Sequence, residues 1–116
     1  MEFYKGHFII STDKSKIDLK LVHDFLTHSY WAAGIPIELV QRSIENSLCF
    51  GIYNPAKQIG FAKVVSDFAT YTYLADVFVL EEERGKSLAK WLVSVIKAHP
   101  QLQGVTKIYV GYKRCA

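Results

Sequence analysis

The chain has 116 residues, half of which are hydrophobic, and it carries a formal net charge of +3. This length predicts one domain spanning residues 1–116, and the hydrophobic content excludes intrinsic disorder. The basic residues are scattered rather than clustered, which argues against a nucleic-acid partner, and no apolar run is long enough to span a membrane.

The cysteine and histidine content limits the chemistry further. Two cysteines, Cys49 and Cys115, do not make a disulfide framework, so we expect a reducing, cytoplasmic environment. Cys49 lies in an apolar run and is interpreted as a core residue rather than a nucleophile. The histidines show no metal-ligand spacing, and we expect no metal site.

The first half of the chain has the apolar patterns of one strand and two helices. Residues 7–11 are predicted to form a strand, and residues 15–28 a helix with apolar side chains at helical spacing. The following loop, residues 29–36, contains Tyr30 and Trp31 and ends at Pro36, which suits the first turn of a second helix. That helix is predicted to end near Leu48.

The second half begins with three predicted strands, at residues 48–53, 58–67 and 70–80, with a tight turn at residues 67–69. A helix follows and ends at about His99, before Pro100. Residues 107–112 are predicted to form a last strand, parallel to the preceding one because a helix crosses between them. The order β-α-α-β-β-β-α-β indicates an α/β protein with a mixed sheet.

The segment from Arg84 to Ala89 lies where a strand and a short acidic turn lead into the last helix. The first N–H groups of a helix have no intrahelical partner and the helix dipole is positive there, so the segment predicts a phosphate site. A P-loop is excluded, because Leu80 occupies the position of its first glycine and residues 81–83 are glutamates. The alternative is an ordinary surface helix start, with Arg84 and Lys86 as solvated charges.

The sequence Arg84-Gly85-Lys86-Ser87-Leu88-Ala89 matches the pattern Arg/Gln-x-x-Gly-x-Gly/Ala, and in this motif the chain resembles the GNAT superfamily of N-acetyltransferases. One residue departs from the pattern, because Ser87 stands where a glycine is usual. The predicted order of elements is also that of the GNAT fold. Residues 30–36, 43–48 and 74–80 resemble a branch of small bacterial acetyltransferases.

The resemblance implies that the acetyl donor is acetyl-coenzyme A and that no metal takes part. Backbone groups of Phe78 and Val79 would bind its pantetheine arm, and one of their N–H groups would polarise the acetyl carbonyl. The residues that would hold its pyrophosphate are Arg84, Gly85, Lys86, Ser87, Leu88 and Ala89.

The resemblance also implies an acceptor site. Asp76 lies on the fourth predicted strand, where relatives often place an acid, and it would relay a proton through water or attract the cationic amine. The alternatives for Asp76 are a cap on a neighbouring loop or a pair with a lysine. Tyr30 and Trp31 would either line the acceptor pocket or cover the core. The acceptor would be a primary amine of a small molecule or a peptide.

Members of the superfamily normally continue past the last strand with another helix and a strand pair, whereas this sequence ends at Ala116. We therefore expect an exposed last strand that favours homodimerisation. The alternative function is a catalytically impaired, GNAT-like module that binds coenzyme A or another protein.

Overall fold

The computed structural model of the chain describes residues 1–105 and 108–110. Within these residues six strands form one sheet, arranged in chain order. The strands are β1 (Glu2–Lys5), β2 (Phe8–Ser11), β3 (Leu48–Asn54), β4 (Lys57–Ser66), β5 (Thr72–Val79) and β6 (Ile108–Val110). Strands β1 to β5 pair antiparallel, whereas β6 runs parallel to β5, with Thr72 opposite Ile108 and Leu74 opposite Val110. The predicted mixed sheet is confirmed.

Three α-helices accompany the sheet: α1 (Leu19–Thr27), α2 (Ile37–Glu45) and α3 (Leu88–Ala98). Helix α1 begins later than predicted, because the carboxylate of Asp18 accepts the N–H of Leu21 at 3.1 Å and caps the helix there. Pro36 directly precedes α2. In the part of the chain that the structure describes, no helix combines the length and apolarity that crossing a membrane requires.

Side chains alternate along the central strands and fill one core on each face of the sheet. On one face, Phe50 and Ile52 of β3 belong to a cluster with Leu92 and Ile96 of α3. On the other face, Cys49 belongs to a cluster with side chains of α1 and α2. Cys49 is a buried free thiol, and burial raises its pKa to about 11, so its interpretation as a core residue is supported.

Three further details differ from the predicted elements. Strand β1 was not predicted, because three of its four residues are exposed and the strand shows no apolar alternation. The turn after β4 is longer than residues 67–69, since the Asp67 carboxylate accepts the N–H groups of Ala69, Thr70 and Tyr71 before β5 begins. The last strand is observed at Ile108–Val110, and residues 107, 111 and 112 of its predicted span lie outside the described residues.

Candidate active site

The loop that leads into α3 has a backbone shaped by two residues in the left-handed region. Gly85 has a φ of 85° and Ser87, which directly precedes the helix, has a φ of 59°. The side chain of Leu88 is buried and anchors the helix start in the core. Ser87 makes no capping bond with its side chain, and its carbonyl accepts the N–H of Trp91 at 3.1 Å. The helix start is therefore open at its N-terminal end.

The backbone N–H groups of residues 85–90 have no hydrogen-bond acceptor among the residues that the structure describes. These are the N–H groups that a helix start leaves unpaired, and they lie at the positive end of the helix dipole. The predicted segment from Arg84 to Ala89 thus forms one exposed, donor-rich loop around a single buried side chain. Such a loop suits an anion.

Two basic side chains flank this loop. The Nε of Arg84 donates to the carbonyl of Val79 at 3.0 Å, which ties the loop back to β5. The ammonium group of Lys86 donates to the Glu83 carboxylate at 2.7 Å and lies 5.8 Å from the centre of the Phe8 ring. The hydrogen bond and the charge of Lys86 lower the pKa of Glu83. Arg84 therefore carries the less compensated charge of the two.

Strand β5 contains a β-bulge at Asp76. Phe61 is opposite Phe78 and Lys63 is opposite Ala75, so two residues of β5 face one residue of β4 between these pairs. Asp76 has a φ of 55°, a left-handed conformation that aspartate tolerates better than most residues. Residues held in such conformations cluster at functional sites.

The Asp76 carboxylate has a partner for each oxygen. The ammonium group of Lys63 lies 2.9 Å from Oδ2, and the indole N–H of Trp31 donates to Oδ1 at 3.1 Å. The side chains of Lys63 and Asp76 are only 17% and 14% exposed, so water screens this pair weakly. The pair with a lysine, named above as an alternative for Asp76, is observed.

The free edge of β5 can be assigned from its pairing with β4. The N–H of Leu80 donates to the carbonyl of Ile59 at 2.8 Å, and successive residues of a strand direct their backbone groups to opposite sides. The backbone groups of Phe78 therefore face β4, and those of Val79 face away from it. On that far side, the described pairing with β6 ends at Leu74.

A cleft of about 530 Å³ lies between α1, the loop that follows α1, and the segment from Arg84 to Ala89, which is called the α3 loop below. Tyr30 is 69% exposed, and its ring meets the half-buried Trp31 edge-on at 5.3 Å. The cleft brings these two predicted acceptor residues together with Arg84. Its lining residues are Asp24, Phe25, His28, Ser29, Tyr30, Trp31 and Arg84.

Comparison with known proteins identifies the family. Residues 18–114 match the family model described as the Acetyltransferase (GNAT) family. The chain belongs to the GNAT family. A solved candidate acetyltransferase of the same family, from Xanthomonas campestris pv. campestris, is 44% identical to this chain. The two structures agree with a TM-score of 0.89, over 95% of this chain and 78% of that one.

More distant relatives agree with this assignment. A candidate acetyltransferase of Gibberella zeae is 23% identical, and the match covers 86% of this chain and 67% of that protein. Ribosomal-protein-alanine N-acetyltransferase from Brucella melitensis biovar Abortus 2308 is 18% identical, with a TM-score of 0.64 over 92% of this chain and 81% of that one. The second likeness concerns the fold alone. The predicted GNAT fold is confirmed.

Two charged residues of this GNAT-family site were not predicted from the sequence. Lys63 is the one charged side chain in the otherwise apolar or polar stretch from residue 58 to residue 66, and that isolation was the available signal. Asp24 lies in the cleft because α1 turns it there, and nothing in the local sequence indicates this. Within the described residues, no group of three or more His, Cys, Asp or Glu side chains could hold a metal ion.

Proposed function

We propose that this GNAT-family chain transfers an acetyl group from acetyl-coenzyme A to a primary amine of a small molecule or a peptide. The observation that carries the proposal is the set of unpaired N–H groups at residues 85–90, placed beside the free edge of β5 and the cleft. Acetyl transfer to an amine requires a positioned thioester, a deprotonated amine and stabilisation of the developing negative charge. The chain has a candidate group for each requirement.

The α3 loop would hold the diphosphate of the cofactor. Donors for its oxygens are the unpaired N–H groups of Gly85, Lys86, Ser87, Leu88 and Ala89. Arg84 would add charge with the guanidinium nitrogens that its bond to Val79 leaves free. Acetyl-coenzyme A supplies an activated acetyl thioester when it is bound.

The edge of β5 would hold the pantetheine arm. Backbone groups of Val79 face away from β4, so its N–H can act as a donor toward the acetyl carbonyl. The Val79 carbonyl accepts a hydrogen bond from Arg84, so the α3 loop and this edge lie next to each other. The backbone groups of Phe78 face β4 and its ring is buried, so we assign the pantetheine contact at this edge to Val79 rather than to Phe78.

Asp76 would act on the amine. A carboxylate offers about four lone-pair sites, and Lys63 and Trp31 occupy one on each oxygen, so capacity remains for a water or an amine. We place Asp76 as the proton acceptor, through water, while Tyr30 and Trp31 line the acceptor side. Bond formation between the amine nitrogen and the acetyl carbon would break the carbon–sulfur bond; Asp76 would take the amine proton through water, and the departing thiolate would take a proton from solvent.

Coenzyme A binding tests the donor half of this proposal. A ligand that binds only the folded state stabilises it by about 2.7 kcal/mol at 100 times its Kd, so coenzyme A should raise the Tm. Ser87→Glu places a negative charge at the diphosphate and should abolish the rise in Tm. Ser94→Glu makes the same chemical change on an exposed position of α3 and should keep it. No rise in Tm for the unaltered chain at millimolar coenzyme A would contradict the proposal.

Release of free thiol tests the acceptor half. Acetyl-coenzyme A is incubated with the protein and a panel of primary amines and amino-terminal peptides, and the free coenzyme A thiol is titrated. Thiol release that depends on an amine, and that Ser87→Glu suppresses, supports acetyl transfer. A rise in Tm without thiol release from any amine would instead support the coenzyme A-binding module.

A further inference from the structure

Lys63 sits in a row of side chains that crosses three strands on one face of the sheet. It lies directly opposite Cys49 of β3 on one side and opposite Ala75 of β5 on the other. The bulge after Ala75 turns Asp76 toward Lys63, and their charged groups meet at 2.9 Å. Lys63 therefore contacts the same Asp76 carboxylate that Trp31, in the loop after α1, contacts with its indole N–H.

This arrangement is not explained by stability alone. Removing an ammonium and a carboxylate from water is costly, and a buried ion pair is often no more stable than apolar side chains of similar size. The left-handed backbone at Asp76 adds a further cost. A cost in stability of this kind is expected where the function of a site requires a side chain in a fixed position.

Trp31 is linked to this pair by a hydrogen bond. The indole lies 45 residues before Asp76 in the chain and is joined to its carboxylate at 3.1 Å, while the Trp31 ring lines the cleft. We propose that Lys63 is a positioning residue: it fixes the Asp76 carboxylate, and this carboxylate holds Trp31 at the wall of the proposed acceptor cleft. The effect on turnover rests on the proposed acetyl transfer, whereas the effect on Trp31 does not.

Of the described groups around Asp76, Lys63 is the one that can hold the carboxylate by charge. Cys49 of β3 is a neutral thiol, since burial raises its pKa to about 11. Trp31 donates one hydrogen bond and carries no charge. Removing the Lys63 ammonium, which donates to the carboxylate and balances its charge, would thus leave Asp76 without its ion-pair partner.

The test compares Lys63→Met with Lys57→Met, the same change at an exposed lysine of the same strand. The chain has two tryptophans, so the indole N–H resonance of Trp31 can be assigned with Trp31→Phe. Without any ligand, Lys63→Met should move or broaden this resonance, Lys57→Met should not, and Lys63→Arg should restore it. Equal indole spectra for Lys63→Met and Lys57→Met would overturn the proposal.

Kinetics and binding separate this role from general destabilisation. With an active amine, Lys63→Met should lower kcat/KM for the amine by up to about 100-fold, which is the loss that an ångström-scale displacement can cause. The rise in Tm with coenzyme A should remain, and Lys63→Arg should recover most of the kcat/KM. An unchanged kcat/KM for an active amine in Lys63→Met would overturn the proposal.

A further variant covers the case in which Lys63→Met does not fold. Combining Lys63→Met with Asp76→Asn removes both charges of the pair, and asparagine still tolerates the left-handed backbone and can accept the indole N–H. Its Trp31 resonance should differ from that of Asp76→Asn alone. Identical resonances in these two variants would show that Lys63 does not hold the side chain at position 76.

Discussion

The ring of Phe25 on α1 lies almost parallel to the ring of Phe78 on β5, with the ring centroids 4.0 Å apart and 10° between the planes. Phe25 lines the cleft beside Trp31, and Phe78 follows the bulge that carries Asp76 by two residues. The stack therefore joins a wall of the cleft to the strand that we propose for the thioester. It does so beside the link between Trp31 and Asp76.

A double-mutant cycle measures this stack. Phe25→Leu and Phe78→Leu should each lower the free energy of unfolding, and the two losses should be coupled by about 0.5 to 1.5 kcal/mol, as for other aromatic pairs. Urea unfolding of the four proteins gives the coupling. Phe25→Leu combined with Phe50→Leu is the control, because Phe50 packs in the core on the other face of the sheet. Coupling as large in the control pair would contradict a specific stack.

Ser87→Gly is expected to stabilise the chain and tighten coenzyme A binding. A non-glycine residue at the φ of Ser87, 59°, costs about 1 to 2 kcal/mol, whereas glycine adopts it freely. Glycine also loses more entropy on folding, so the net gain should be at most about 1 kcal/mol. Removing the Cβ should lower the Kd for coenzyme A, because the backbone can then approach the diphosphate more closely. Urea unfolding and calorimetric titration measure the two effects.

Ser94→Gly provides the contrast for this variant. Ser94 lies inside α3, where the same substitution should destabilise the chain by a few tenths of a kcal/mol, up to about 1 kcal/mol. It should leave the Kd for coenzyme A unchanged, since Ser94 is about two turns from Ser87. Equal destabilisation by both substitutions would show that Ser87 is not strained.

The parts of the site that are local in the chain could be predicted from the sequence. The segment from Arg84 to Ala89 is six consecutive residues that lead from a short turn after β5 into the start of α3, and apolar periodicity indicated both the strand and the helix. A lysine partner for Asp76 was among the alternatives read from the sequence, but the identity of Lys63 and the link to Trp31 could not be predicted. It depends on a bulge that shifts the register of β5 and on a loop 45 residues away, and neither leaves a pattern in a single sequence. Strand β1 escaped prediction because its residues are mostly exposed.

Tyr53→Phe is expected to stabilise the chain. The Tyr53 hydroxyl is buried without a hydrogen-bond partner among the described residues, and a Cβ on Gly51 would lie 2.5 Å from its oxygen. An unpaired buried hydroxyl costs about 1 to 3 kcal/mol, so its removal should raise the free energy of unfolding by about 1 kcal/mol or more. Tyr71→Phe, at a residue that is 44% exposed, should have little effect in the same urea titration.

The gain from Tyr53→Phe should grow in alkali. Burial raises the pKa of Tyr53 from 10.0 to about 12. Between pH 10.0 and about 12, Tyr53 loses its phenol proton in the unfolded chain but keeps it in the folded chain. The unaltered chain therefore loses stability as pH rises through this range. Phenylalanine has no such proton. A difference between the two proteins that stays constant from neutral pH into this range would contradict the burial of the hydroxyl.

His99 should make the chain less stable in mild acid. Its side chain is buried, its Nδ1 accepts the N–H of Gln101 at 3.2 Å, and its ring meets Phe50 edge-on at 5.5 Å. Burial lowers the pKa of His99 below its ordinary value of 6.5. As pH falls through 6.5, His99 binds a proton in the unfolded chain but stays neutral in the folded chain. The free energy of unfolding therefore decreases until the pKa of His99 in the folded chain is reached.

His99→Asn isolates this effect, because the asparagine oxygen can still accept the N–H of Gln101 but has no proton to gain. Urea midpoints measured from about pH 8 to about pH 5 should fall less steeply for His99→Asn than for the unaltered chain. His7→Asn, at an exposed histidine, should keep the steeper fall. If the curves for His99→Asn and the unaltered chain run parallel, the imidazole is already accessible to protons in the fold, and the acid loss of stability belongs to other groups.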